Sequence, residues 1–106
     1  MRLFILIKRD PRESREEFED WWSSHHAELA KDMPGLKRYV LHKVLGGFEK
    51  ETDWDGIAEL EYESEAAARA SFASEIGYRT LVEDTKGRRG ARLMLSTEHL
   101  RVVRES

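Results

Sequence analysis

Apolar positions along this chain fall into short continuous runs, alternating stretches and helical stripes, and each predicts an element. Leu3 to Ile7 is an unbroken apolar run ending at the turn residues Asp10-Pro11, the pattern of a strand covered on both faces. Ser14-Arg15-Glu16-Glu17 is a capping box, in which hydroxyl and carboxylate satisfy the free backbone donors of a helix start. Phe18, Trp22, His25 or His26, Leu29 and Met33 then recur at helical spacing until Pro34-Gly35 stops the helix. Leu36 to Leu45 predicts a second strand, with Leu36, Val40 and Val44 on one face and Tyr39, Leu41 and Leu45 on the other. After the polar connection Gly46 to Asp53, Trp54 to Tyr62 predicts a third strand with Trp54, Gly56, Ala58, Leu60 and Tyr62 on one face. Ser64 caps an alanine-rich second helix that Ser74 restarts as far as Asp84, with Gly77 as a point of break. Lys86 to Gly90 reads as a loop and Leu93 to Val103 as the last strand.

The order β-α-β-β-α-β predicts an α+β, ferredoxin-like fold with an antiparallel sheet and both helices on one face, as one domain over residues 1–106. Tyr39, Leu41 and Leu45 then call for cover on the other face. Two such sheets packed face to face would bury them in a barrel, whereas exposed aromatics on the same topology would suit stacking of nucleic-acid bases. The element order leaves both open.

Composition narrows the functions. With 18 Lys+Arg against 21 Asp+Glu the net charge is −3, which disfavours bulk attraction to nucleic acid or to an anionic membrane. The absence of cysteine removes disulfides, thiolate metal sites, iron–sulfur clusters and a cysteine nucleophile together. Only five apolar residues follow Arg2, far short of the ~20 that span a bilayer, so the expected location is the cytoplasm. Phosphate-binding glycine loops, the nucleophile elbow and the aromatic signature of RNA-recognition modules are missing from the sequence.

Few side chains remain for chemistry. On a regular wheel His25 lies near the centre of the first helix's apolar stripe and His26 at its margin, where an imidazole can reach a cavity or simply pack at the core edge. Trp21, Trp22 and Phe18 read chiefly as core. Tyr39 sits among apolar neighbours, so its hydroxyl needs a backbone partner or a pocket. His42 and His99 are placed on strands, and His99 follows Glu98 on the opposite strand face. Only His25 with Glu28 shows a suggestive i, i+3 pair, so no metal site is expected. Glu59 and Glu61 share a strand face and read as charged surface.

Phe18-x-x-x-Trp22-x-x-x-His26, Leu29-Ala30-Lys31 and Pro34-Gly35-Leu36-Lys37-Arg38-Tyr39-Val40 together resemble the EthD-domain family of the dimeric α+β barrel superfamily. Phe4-Ile5-Leu6-Ile7-Lys8-Arg9, Trp54-Asp55-Gly56-Ile57-Ala58-Glu59-Leu60 and Glu98-His99 extend the likeness over nearly the whole chain. The resemblance implies a homodimer closing a barrel sheet to sheet, no cofactor, and a small hydrophobic or aromatic metabolite as partner. It implies catalytic roles for His26 and Tyr39, with Trp22, Phe18 and Leu41 shaping the substrate pocket. The activity it implies is proton transfer on a small cyclic or aromatic carbonyl compound or lactone, of isomerase or lyase type. A non-catalytic binding or accessory protein is the alternative, and a cofactor-free monooxygenase a weaker one. One departure is Glu28, two residues after His26, where the family commonly has proline.

Overall fold

The computed structural model describes residues 1–85 and 91–106. Its elements are β1 (Arg2–Ile7), α1 (Arg15–Trp21), a π-helical turn (Trp22–His26), α2 (Ala27–Ala30), β2 (Arg38–Lys43), β3 (Gly56–Glu61), α3 (Glu65–Ala73), α4 (Glu75–Thr85) and β4 (Arg92–Thr97). The sheet is antiparallel in the order β2-β3-β1-β4, so the α+β, ferredoxin-like arrangement holds. The Ser14 capping box forms: Ser14 Oγ accepts from the Glu17 amide at 3.0 Å, and Glu17 Oε1 accepts from the Ser14 amide at 2.9 Å. The first helical region ends at Ala30 with Lys31 as its C-cap, short of the expected stop at Pro34-Gly35, and Gly35 takes a left-handed conformation, φ 77°, in the turn that follows.

Two further expectations shift. The last strand ends at Thr97 rather than Val103, because its ladder with β1 finishes at the pair Arg2↔Thr97, where β1 itself begins. His99 is therefore off the sheet. The second helix restarts after Ser74 as expected, Ser74 having an extended backbone, but no break occurs at Gly77, through which α4 runs unbroken. A Cβ at Gly77 would stand 2.6 Å from the Phe72 Cα, so this glycine serves close packing of α4 on the end of α3. The loop expected at Lys86 to Gly90 lies outside the described residues.

A fourth correction concerns the faces of the sheet. Residues directly opposite in a ladder share a face, and Tyr39 pairs with Leu60 and Leu41 with Ala58. Leu60 and Ala58 belong to the core beneath the helices with Leu3, Ile5, Ile7, Phe18 and Trp22. Tyr39 and Leu41 thus pack against the helix side, and Leu45 projects beyond the strand, 89% exposed. The open face instead carries Phe4, Leu6, Val40 and Ile57, half-buried, with Leu93 and Leu95 each 45% exposed. Beside them Glu59 is flanked by Arg2 at 3.1 Å, His42 at 3.1 Å and Arg38 at 3.6 Å.

Asp55 locks three segments together. Its Oδ2 accepts from the Arg9 amide at 2.8 Å, and its Oδ1 accepts from Arg9 Nη1 at 2.6 Å with Arg15 Nη2 at 3.3 Å. Arg15 Nη1 also donates to the Val44 carbonyl at 2.9 Å. The end of β1, the start of α1 and the segments flanking β2 and β3 are thereby held in one place. Gly56 follows because the Trp22 ring lies over it, and a Cβ there would come within 2.5 Å of that ring.

Candidate active site

The placement of the histidines follows from the π turn. A turn closed by i→i+5 bonds holds more residues than one of 3.6, so it shifts the phase of everything after it. The Ala27 amide donates to the Trp22 carbonyl across this wider turn. Ser23 and Ser24 hydroxyls donate to the carbonyls of Glu19 and Asp20, supplying donors where the backbone register changes. In consequence His26, expected at the margin of the stripe, is the buried one at 4% exposure, and His25, expected near its centre, faces out. The Trp21 ring covers His26 at a centroid distance of 5.0 Å.

His26 and Tyr39 line one small cavity of about 20 Å³ between the sheet and the helices, with Ile5, Ile7, Trp22 and Ala30 among its walls. Thr80, from α4, adds a third polar group there, and its hydroxyl donates to the Ile76 carbonyl at 2.9 Å. The walls are otherwise apolar, and the volume suits a single water-sized occupant. Trp22 forms part of the wall. Phe18, wholly buried, stacks on Trp22 at 5.3 Å, and neither Phe18 nor Leu41 is part of the wall. Thr80 escaped the sequence reading because a threonine within a helix carries no pattern that says which helix face meets which cavity.

The remaining candidates lie elsewhere. His42 bonds Glu59 on the open sheet face, and Glu28 is exposed and paired with Lys31. Tyr62 is buried with its hydroxyl 2.9 Å from Ser71 Oγ; burial raises its pKa, the Ser71 contact opposing this, so it is a neutral structural group. Among the described residues no three His, Asp or Glu side chains converge as metal ligands, and no helix is long and apolar enough to cross a membrane.

A family model for the EthD domain matches residues 10–87, the span holding the π turn, β2, β3 and both later helices. The chain belongs to the EthD domain family. No curated protein is significantly similar to it in sequence. Among solved structures, an ethyl tert-butyl ether d (EthD) family protein from Bacillus halodurans superposes with a TM-score of 0.71 at 15% identity, covering 92% of this chain and all of the other. A dimeric ferredoxin-like protein of unknown function from Thermobifida fusca gives 0.64 at 14% identity over 91% and 89% of the two chains. A point mutant of the cofactor-independent oxygenase SnoaB from Streptomyces nogalater gives 0.59 at 15% identity over 98% of each. At these identities the likeness is one of fold.

Proposed function

We propose that this EthD-domain protein catalyses cofactor-free proton transfer on a small cyclic or aromatic carbonyl compound or lactone, in an isomerisation, dehydration or ring rearrangement. The observation that carries this is the convergence of His26 and Tyr39, from two separate elements, on one apolar cavity. Imidazole titrates near neutrality in its ordinary state, so His26 takes a proton from the carbon beside the carbonyl and returns one elsewhere. Tyr39 donates to the oxygen on which negative charge develops. Trp21 and Trp22 keep water from the imidazole.

Proton transfer can be tested before the product is known. In deuterated water the protein should accelerate hydrogen exchange beside the carbonyl of small cyclic ketones or lactones, followed by proton NMR. His26→Ala should lower that rate by about 10²–10⁴-fold and Tyr39→Phe by less. Ligands that bind saturably without exchange, in the wild-type protein, would transfer the lead to a binding or accessory role.

The reading includes a homodimer. Phe4, Leu6, Val40, Ile57, Leu93 and Leu95 form an apolar field on the open sheet face, and the Thermobifida neighbour of this fold is dimeric. Sedimentation at micromolar concentration should give about twice 12.4 kDa. A stable monomer removes the barrel from the account.

A further inference from the structure

The cavity at His26 holds about 20 Å³, while a cavity that takes a benzene-sized ring measures about 150 Å³. Proton transfer on a ring therefore needs more room than this cavity offers. That room exists next door. A groove of about 360 Å³ runs between α3, α4 and the β1–β4 side of the sheet, with Leu3, Ala68, Leu81 and Met94 among its walls and Ser96 at its rim. Its size falls within the range of about 300–1,000 Å³ typical of small-molecule sites.

One side chain lines both spaces: Phe72. It stands in the last turn of α3, half-buried, against Tyr62 at a ring-centroid distance of 6.4 Å. Its backbone is fixed, since Gly77 brings α4 so close that even a Cβ would strike the Phe72 Cα and the Ser71 carbonyl. Movement at this wall is consequently a rotation of the ring about a held Cα rather than a shift of the helix.

We propose that the groove outside Phe72 is the substrate-binding site, taking a small ring that bears a hydroxyl or carbonyl group, and that rotation of the Phe72 ring joins it to the His26–Tyr39 cavity. The apolar body then rests on Leu3, Leu81 and Met94 while its polar group reaches His26, Tyr39 and Thr80. The inference rests on the reading of that cavity as the reaction site, and it adds where the substrate lies and what admits it.

The test uses 4-nitrophenol, a single ring with one hydroxyl whose nitro group quenches tryptophan emission. Trp22 on the cavity wall and Trp21 against His26 report its arrival. The wild-type protein should show saturable quenching. A closed wall that is open for about 0.1–10% of the time weakens apparent affinity by the inverse of that fraction, so Phe72→Ala should tighten binding by at least about tenfold. Ser96→Phe, an exposed rim substitution that leaves the core intact, should weaken it. Far-UV circular dichroism checks that each variant is folded, and Phe72→Leu serves where alanine does not fold. Saturable quenching that is the same in wild type, both Phe72 variants and Ser96→Phe overturns the groove and its wall while leaving the cavity reading intact. Absence of saturable quenching in wild type and in the Phe72 variants overturns both.

Discussion

Two buried polar groups sit close to Trp22, and they are built in opposite ways. Asp55, beside Gly56 in the chain, spends both carboxylate oxygens on Arg9 and Arg15, and the space next to it is a surface groove shared with Lys8, Pro11 and Asp53. His26, Tyr39 and Thr80 surround a space instead. A buried charge is tolerated only when it is paired and hydrogen-bonded, so the first arrangement is what holding a chain together requires. Under the function proposed above, these side chains face a space that a ligand's polar group enters. Burial alone does not separate the two kinds of site; what the buried atoms face does.

Breaking the first kind should cost the most stability. Asp55→Ala removes the partner of the Arg9 amide and of two guanidinium groups. Arg9 and Arg15 side chains are 35% and 40% exposed and can turn to water, which moderates the loss to about 3 kcal/mol. Denaturant unfolding measures this. A shift in midpoint equivalent to less than about 1 kcal/mol would show that the cluster does not organise the fold.

The sequence showed the Asp55 and His26 regions unequally. The capping box at Ser14 and the succession of strands and helices along the chain were legible because each depends on neighbours within a few residues. Strand ends were not, since Leu100, Val102 and Val103 continue a strand-like pattern past the point where β1 stops offering partners. Alternation divided Tyr39 and Leu41 from Val40 but was silent on which set meets the helices; only the register with Leu60 and Ala58 decides that. The exchange of roles between His25 and His26 required the π turn, which a wheel of constant pitch cannot contain. The adjacent pairs Trp21-Trp22, Ser23-Ser24 and His25-His26 were the signal available, two hydroxyl side chains mid-helix beside bulky rings. Family likeness points to Tyr39 and His26, whereas the motif around Asp55 carries no local sign of its clamp to Arg9 and Arg15.

A smaller effect lies at the first helix, which carries both regions. Ser14→Ala should cost about 0.5–2 kcal/mol by removing the cap. Its pH dependence has a definite sign. The Ser14 amide, and then its hydroxyl, hold the Glu17 carboxyl below its ordinary value. A depressed carboxyl contributes stability that is present above the unfolded-state value, about 4.3, and is lost as pH falls through the folded-state value. The difference between wild type and Ser14→Ala should therefore shrink below about pH 4. Alanine keeps the Ser14 amide, so a gap that is constant or grows on acidification would mean that the Ser14 hydroxyl takes no part in holding Glu17.

The smallest stability effect is expected at the cavity, and it is the sharpest test of the contrast. Thr80 is 5% exposed, so by burial it belongs with Asp55. Its hydroxyl, however, donates to the Ile76 carbonyl, a group inside α4 that also accepts a helical amide. Thr80→Val keeps the shape and strands no charge, so unfolding free energy should change by less than about 1 kcal/mol. The substitution removes an oxygen on the cavity wall, still able to accept a hydrogen bond from a bound hydroxyl because its own proton is engaged elsewhere. A lost neutral hydrogen bond of about 0.5–1.5 kcal/mol corresponds to about two- to tenfold weaker binding of 4-nitrophenol. Should the substitution destabilise the protein as Asp55→Ala does while leaving binding untouched, Thr80 would be a clamp as well, and the cavity would be a packing fault lined by structural groups.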